Sequence, residues 1–477
     1  MSRQIRADYA TQFLFPRSLE EWVKPDDPAR FIRTFVDSLD LREIAGAEWA
    51  SAVADPSGRP HYAFDLLLKV WLYGYVYNIR SSRKLERACR QLMPLVWLAG
   101  THEPDHNTLW RFWQRYSGVL KKVFVDSVRV AVKANLVGMV MQAVDGTKIV
   151  SAASQKNAWH RKDLEKILRA VGERIENLEQ EIATAKEGGA EIDDRLPKTL
   201  QDENELKATV QEALRALAAA DREQMQPGDR DARMMKGGTA KRTEFAYNAQ
   251  AVCDASHGIV VAENVVDEEN DTQQLGPMLE QVRENTGSLA AETLADSGYD
   301  TAESLAKAEE LGASVLVAQK IDPDKVGPYH LARFTYDEQA GTVHCPLGQE
   351  LRKVGRPTKH RDKPHPLTRY RCDKWASCPV GRSCSKDRAR VVELGPHYGA
   401  MQRQRAKRAN PDNKKRLRRR SEIIERLFGQ TKWNDGFRRW TVRGTQKVRA
   451  QWTMTCTAIN LRQLIAAALP AAFLAAA

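Results

Sequence analysis

Apolar residues recur at helical spacing over about the first 135 residues, and proline and glycine are confined to the junctions between the apolar runs. Serines can cap a helix within 81–100, and Asp105 can cap another within 104–136. Three arginines share one side of the first of these helices: Arg83, Arg87 and Arg90. The pattern predicts an all-helical N-terminal domain over 1–135. It is compatible with a helix-turn-helix whose arginines contact DNA phosphate, and equally with a packed bundle whose arginines only aid solubility.

Beyond Gly138 the pattern changes to strands that alternate with helices. Strands are predicted over 138–152, over 243–266 with a hairpin turn at Ser256, His257 and Gly258, over 292–296 and over 314–319. Helices are predicted near 272–284 and over 301–312, and a late helix follows near 420–440. This order favours an α/β fold, in which a mixed sheet carries helices on its faces. We expect it to form one domain over 136–477.

Two insertions interrupt this domain, and the first, at 160–224, has a heptad pattern. Apolar residues step by four and three along two runs: Leu164, Leu168, Val171, Ile175, Leu178 and Ile182, then Leu206, Val210, Ala213, Leu217 and Ala220. Matched heptads around a glycine turn at 188–190 predict an antiparallel coiled-coil hairpin. Its role stays open between a dimer contact, an arm that reaches DNA and an inert insertion.

The second insertion, at 330–400, holds four of the seven cysteines: Cys345, Cys372, Cys378 and Cys384. Tetrahedral zinc takes four thiolates, often as two pairs with two to four residues between the members of each pair. No such close pair occurs here, so the spacing leaves a zinc site and four reduced structural thiols as alternatives.

Charge narrows the class of partner, since the chain carries a formal net charge of +12 and a pI near 9.3. This balance favours a polyanion, DNA or RNA, or an anionic membrane surface. The apolar run at 66–79 is short and interrupted by Lys69, and the Ala-rich tail is below the ~20 residues that span a bilayer. Charged residues stand where a signal peptide needs an apolar core. We therefore expect a cytoplasmic protein with reduced cysteines and no membrane partner.

The late helix carries carboxylates that an amphipathic surface helix does not require. At ~100° per residue, Glu425, Glu422, Gly429 and Lys432 fall on one face. Apolar residues fall on the opposite face: Leu417, Ile423, Ile424, Leu427 and Phe428. The polar face is either an ordinary solvated face or one that presents an acid to a site. Glu422 is explained by ion pairs with Arg418 and Arg419, which leaves Glu425 as the candidate.

Three carboxylates form a candidate catalytic set: Asp145 and Asp296, each expected at a strand end, and Glu425 on the late helix. Two-metal phosphodiester cleavage needs hard oxygen ligands that hold Mg²⁺ or Mn²⁺, which activate water and stabilise the leaving oxygen. The basic run 403–420 directly precedes the third acid. The order and placement of the three acids, more than any one alone, indicate metal-dependent chemistry on nucleic acid.

Over nearly its whole length the sequence resembles the DDE transposases of bacterial insertion sequences, which have a ribonuclease-H-like catalytic core. The segments "AVDGTKIVSAAS", 247–275 and "TLADSGYD" resemble the family's first two acidic blocks, and "LRRRSEIIERLFGQTKW" resembles its third. The segments 12–32 and 73–90 resemble its helical N-terminal domain. The resemblance implies that Asp145, Asp296 and Glu425 are the catalytic, Mg²⁺-binding acids. It implies a DNA contact for Lys432, seven residues after the third acid. A related motif has Tyr and Arg seven and four residues before the acid, whereas Arg418 and Ser421 stand there.

The resemblance implies a transposase that binds the terminal inverted repeats of its element and catalyses strand cleavage and strand transfer. We expect double-stranded DNA, of element ends and target, as its partner, a homodimer or higher homo-oligomer as its working form, and the bacterial nucleoid as its place. Candidate DNA contacts are Arg83, Arg87, Arg90, Arg418, Arg419 and Lys432. The alternative is an inactive DNA-binding relic or regulator of the same family. A host nuclease on the same fold is disfavoured by the N-terminal domain.

Overall fold

The computed structural model describes residues 18–46, 62–187, 195–237, 242–360 and 365–467. The glycine turn predicted at 188–190 and the alanine-rich end beyond 467 lie outside these residues. Within them the fold is mixed α/β. The described part of the chain contains no helix that is both long and apolar enough to cross a membrane.

The described residues before the first strand form helices joined by turns and contain no strand. The helices are Pro28–Asp37, Leu41–Ala45, Phe64–Val76, Ser82–Gln91, Met93–Leu98, His106–Tyr116 and Leu120–Lys133, after a short 3-10 helix at Leu19–Trp22. Asp105 caps its helix as expected, because its carboxylate accepts from the Thr108 amide at 2.6 Å. The segment 104–136 contains two helices. A turn at 117–119, which contains Gly118, a poor helix former, divides it into two helices.

The strands in chain order are β1 Met141–Val150, β2 Trp159–His160, β3 Gln224–Met225, β4 Arg233–Lys236, β5 Thr243–Asp254, β6 Val260–Val266, β7 Glu292–Ala295, β8 Val315–Val317, β9 Thr335–Asp337, β10 Thr342–His344, β11 Glu350–Thr358, β12 Leu367–Arg371 and β13 Val391–Leu394. The main sheet has the order β4-β5-β1-β7-β8, and β6 also pairs with β5. β1 is antiparallel to β5 and parallel to β7, and β7 is parallel to β8. The sheet is therefore mixed, as the alternation of strands and helices predicted.

Helices at Leu275–Thr286, Ala302–Glu310, Tyr398–Ala409, Pro411–Arg420 and Thr445–Ala466 accompany this sheet. The last of these is buried over most of its length. Trp452 Nε1 donates to Gln250 O of β5 at 2.9 Å, and Asn460 Nδ2 donates to Val260 O of β6 and to Ser127 Oγ of an N-terminal helix. This helix therefore joins the sheet to the N-terminal helices in one continuous core.

The first insertion is a hairpin of two long helices, Arg161–Glu187 and Arg195–Ala219, and its base is closed by the antiparallel pair β2 and β3. Leu164, near the start of the first helix, packs in one cluster with Leu217, near the end of the second. Arg174 pairs with Glu203 further along. The two helices thus run antiparallel, and the heptad positions supply the buried contacts.

The second insertion carries a separate antiparallel sheet with the order β13-β12-β11-β10-β9. Its own hydrophobic cluster contains Phe334, Val343, Leu351, Tyr370, Cys372, Val392, Leu394 and Tyr398. The late helix that follows is irregular. After Pro411–Arg420 it continues as a π-helix at Ser421–Glu425, one α-helical turn at Arg426–Gly429 and a second π-helix at Gln430–Asn434.

A candidate active site lined by carboxylates

Asp145 and Asp296 lie on neighbouring parallel strands of the main sheet. Val144 of β1 pairs with Ala295 of β7, so the two acids are the next residues along strands that lie ~4.8 Å apart. Asp296 follows β7 and caps the short 3-10 helix Ser297–Tyr299. The expected strand end is wrong for Asp145, because β1 continues to Val150. What ends beside Asp145 is the pairing of β1 with β7, whose last pair is Val144 with Ala295.

Asp145 is a poorly solvated carboxylate with a positive neighbour. Its side chain is 16 % exposed, and Oδ2 accepts from Arg420 Nη1 at 2.6 Å. Burial raises the pKa of Asp145 to about 6, and the charge of Asp296 adds to the rise, whereas Arg420 and the Gly146 amide lower the pKa. The charge of Asp296 is thus near enough to act on Asp145.

Glu425 lies at the end of the first π-helical segment, and its side chain is 64 % exposed. Arg420 approaches it with Nη2 at 3.9 Å from Glu425 Oε1, while the same guanidinium binds Asp145. A π-helix closes i→i+5 hydrogen bonds, so the uniform turn of ~100° per residue does not hold here. The helical arithmetic that aligned Glu425 with Lys432 is therefore wrong, although Ile424, Leu427 and Phe428 are buried as predicted.

The structure brings Asp145 and Asp296 together and links Glu425 to them through Arg420. In the described ranges, no three His, Cys, Asp or Glu side chains are close enough together to hold a metal ion. The three predicted acids thus surround a region in which a guanidinium supplies the positive charge.

A further acid, Asp271, was missed by the sequence reasoning although it lies in this region. Its Oδ1 accepts from Asn248 Nδ2 at 2.7 Å and from Gln250 Nε2. Gln250 Oε1 in turn accepts from the hydroxyl of buried Tyr299. Burial raises the pKa of Tyr299, as do the charges of Asp271, Asp145 and Asp296. One signal existed in the sequence, since Asn248 and Gln250 are polar at period two within an apolar strand.

Two glycines allow this polar cluster to close. A Cβ on Gly146 would collide with Gln250 Nε2 and Asp271 Oδ1, and one on Gly298 would lie 2.9 Å from Asp296 Oδ1. Gly146 and Gly298 are therefore required, because carboxylates and amides approach both positions too closely for a side chain.

The residues predicted to contact DNA have different environments. Arg83 and Arg87 are exposed on the helix Ser82–Gln91, whereas Arg90 pairs with Glu86 and Glu103. Arg418 and Arg419 are exposed and have no acidic partner in the described ranges, so the ion pairs expected with Glu422 are absent there. The exposed cations of this set that lack an ion pair among the residues described are therefore Arg83, Arg87, Arg418 and Arg419.

Much of the basic run 403–420 is engaged within the protein and does not face solvent freely. Arg408 forms a buried ion pair with Asp300 at 2.6 Å, Arg416 pairs with Glu292, and Arg403 pairs with Glu309 and Glu338. Some cations of this run therefore bind its helices to the rest of the candidate catalytic region, whereas the others are exposed.

Lys432 and Gly429 differ from expectation. Lys432 Nζ donates to Lys148 O at 3.0 Å, and burial lowers the pKa of Lys432. Its ammonium thus lies against β1, close to Asp145, and is turned inward. A Cβ on Gly429 would meet no atom within 4 Å, so the close approach expected at this glycine is absent from the described residues.

The four cysteines of the second insertion, Cys345, Cys372, Cys378 and Cys384, are free thiols that line one small pocket. This pocket belongs to the smaller sheet, whereas Asp145 and Asp296 belong to the main sheet. The four thiols therefore form a cluster that is separate from the acids.

Comparison with known families gives two matches. Residues 344–465 match a family described as "Transposase DDE domain", and residues 17–115 match one described as "Transposase domain (DUF772)". Glu425 lies within the first match, whereas Asp145 and Asp296 lie outside both. No curated protein matches the chain. Together the two family matches indicate a DDE transposase of the insertion-sequence type with an N-terminal transposase domain.

Proposed function

We propose that this transposase binds the terminal inverted repeats of its element and catalyses metal-dependent cleavage and transfer of the DNA strands. Asp145, Asp296 and Glu425 are the proposed catalytic acids. The observation that carries the proposal is the parallel pairing of Val144 with Ala295, because it sets two acids side by side on a mixed sheet. Glu425 joins them through the guanidinium of Arg420.

The order of strands supports a ribonuclease-H-like catalytic core. A hairpin of antiparallel strands, β5 and β6, lies on one side of β1, and two parallel strands, β7 and β8, lie on the other. We propose that this core and its two insertions form a catalytic domain over 136–477, that the helices over 1–135 form a DNA-binding domain, and that the hairpin at 160–224 is an antiparallel coiled coil. The heptad contacts at its base support the last assignment.

The donor set fits a hard divalent cation, Mg²⁺ or Mn²⁺. The Asp271 carboxylate lies beside Gly146 and beside Gly298, the glycines that follow the other two acids in the sequence. Among the described residues, Asn248 Oδ1 is buried at the same place without a hydrogen-bond partner. Carboxylate and amide oxygens are the ligands these ions prefer. When bound, such cations activate water and stabilise the leaving oxygen of the phosphodiester. Asp145, Asp296 and Glu425 would hold them.

The chain's own residues prepare this chemistry. Arg420 compensates the charge of Asp145 and reaches towards Glu425, so it bridges two of the acids. Asp271 acts as a positioning residue: it fixes the amides of Asn248 and Gln250, and Gln250 in turn binds Tyr299 beside Asp296. This hydrogen-bond network orients the polar groups that surround the acids.

Exposed cations support DNA as the partner. Arg83 and Arg87 lie on one helix of the N-terminal segment, and Arg418 and Arg419 lie just before the third acid. We propose that both groups contact phosphate, the first at an element end and the second beside the scissile strand. A homodimer or larger homo-oligomer on nucleoid DNA would bring two ends together.

Glu425 and Glu422 provide a matched pair for the test, because both are exposed on the same π-helical segment. Glu425→Gln should abolish Mg²⁺-dependent cleavage of a labelled element end and leave gel-shift binding of the end unchanged. Glu422→Gln should retain most of the activity. An active Glu425→Gln protein would refute the assignment. Wild-type protein that binds the end but does not cleave it with Mg²⁺ or Mn²⁺ would instead identify an inactive relic.

A further inference from the structure

The second insertion has only a small apolar core of its own. Its sheet, β9 to β13, encloses a buried cluster of eight residues, separate from the main core. Modules of this size usually require a disulfide or a metal as an additional staple. All seven cysteines that the structure describes are free thiols, so no disulfide supplies it.

Four thiols from four different parts of this insertion meet in one place. Cys345 follows β10, Cys372 follows β12, and Cys378 and Cys384 come from the loop and short helix after it. All four line a pocket of about 20 Å³ whose other walls include Phe334 and Leu351. Cys372, Cys378 and Cys384 follow Cys345 by 27, 33 and 39 positions, so the tertiary structure brings these four cysteines together. Packing alone does not require this convergence.

The backbone around these cysteines is held in tight loops. Gly348 N donates to Cys345 O at 2.8 Å and Cys345 N donates to Gln349 O at 2.9 Å, and Gly348 has a φ of 75°. The indole of Trp375 donates to Gly381 O and Ser385 O, which closes the loop that carries the last two thiols. Such turns direct cysteine side chains inward from well-separated positions in the sequence.

We propose that Cys345, Cys372, Cys378 and Cys384 bind one structural Zn²⁺ ion that staples the second insertion. Four thiolates at ~2.3 Å from the metal form a closed tetrahedral site with no position left for substrate. In the described ranges no three such ligands already stand at metal-binding separations. The thiols therefore close on the ion by side-chain rotation within the pocket. Binding releases the thiol protons, so affinity falls as the pH is lowered.

This site is independent of the proposed cleavage chemistry, and its test needs no activity. Untagged wild-type protein, expressed with added zinc and passed through a desalting column, should contain about one zinc per chain by elemental analysis. A mercurial reagent should release this zinc as the thiols are modified. Cobalt(II) added to metal-free protein should produce the visible absorption of tetrahedral cobalt thiolate. Zinc-free wild-type protein with a folded circular dichroism spectrum, and no cobalt absorption, would overturn the proposal.

Variants locate the ion. The double substitution Cys378→Ser with Cys384→Ser should reduce the zinc content at least tenfold, whereas the neighbouring control Ser385→Ala should retain it. Zinc that persists in the double variant is bound elsewhere and contradicts the assignment. If the double variant does not fold, Cys384→His decides the matter, since imidazole also ligates zinc. Zinc retained in Cys384→His together with mercurial release from wild type supports the site, and wild-type zinc that mercurial leaves bound refutes it.

Discussion

Replacing Asp145 by Asn separates the cost of burying this acid from its value in catalysis. Burial raises the pKa of Asp145 from 3.8 to about 6, despite the bond from Arg420. An acid whose pKa is higher in the folded protein stabilises the fold below its unfolded pKa, and this contribution is lost as the pH rises through about 6. At pH 8 the ionised side chain therefore lowers the free energy of unfolding when no metal is bound.

The magnitude follows from the shift. About two pKa units at 1.36 kcal/mol per unit correspond to roughly 3 kcal/mol, which is an upper bound for the gain from a neutral isostere. We expect Asp145→Asn to be more stable than wild type at pH 8 by about 1–3 kcal/mol in the presence of a chelator. The difference should shrink to near zero at pH 4, where wild-type Asp145 is itself protonated. Mg²⁺ should stabilise wild type at pH 8 and leave the variant unchanged.

Denaturant titrations at pH 4, 6 and 8, with chelator or with Mg²⁺, measure these differences. Glu425→Gln is the matched control. It alters another proposed catalytic acid, but this side chain is 64 % exposed, so its stability should follow wild type at every pH. Asp145→Asn that is less stable than wild type at pH 8 in chelator would show that the ion pair with Arg420 outweighs desolvation, and the reasoning would fail.

Three further outcomes are expected. Arg418→Ala combined with Arg419→Ala should lower the slope of log K against log salt for DNA binding by about 1.8 in fluorescence anisotropy titrations; an unchanged slope would remove these residues from the interface. Arg408→Met should destabilise the protein by about 3–5 kcal/mol in denaturant titrations, because it leaves a buried carboxylate unpaired; neutralising that carboxylate as well should recover much of the loss, and no recovery would refute the explanation. Gly146→Ala should cost about 1–3 kcal/mol in the same titrations and abolish cleavage, because a Cβ collides with the polar cluster. Gly429→Ala, with open space around it, is its control and should not be destabilised; equal effects at both glycines would contradict this account.

Local pattern was sufficient for most of the secondary structure. The strands around Asp145 and Asp296, the hairpin at 243–266 and the two long helices of the first insertion lie close to their expected positions. These features depend on the period of apolar residues and on capping and turn residues, which act over a few positions. The same pattern predicted burial of Ile424, Leu427 and Phe428.

The irregular helix around Glu425 shows where local pattern fails. The sequence 420–434 has helical spacing, but two π-helical segments interrupt it. Its Lys432 was expected to face DNA and instead donates to the backbone of β1. The spacing of apolar residues does not distinguish an α-turn from a π-turn here.

The sequence by itself determined the order of β1, β5, β6, β7 and β8 and of the helices between them, but not the sheet of the second insertion. It also determined the excess of positive charge, and three acids and four cysteines as candidates for chemistry. Only the tertiary structure decided which of these meet. It set Asp145 beside Asp296, added Asp271 to them, engaged much of the basic run internally and gathered the four cysteines in one pocket. The physical reason is that each of these contacts joins residues far apart along the chain. Their proximity depends on strand pairing and packing, which no spacing within a single segment encodes.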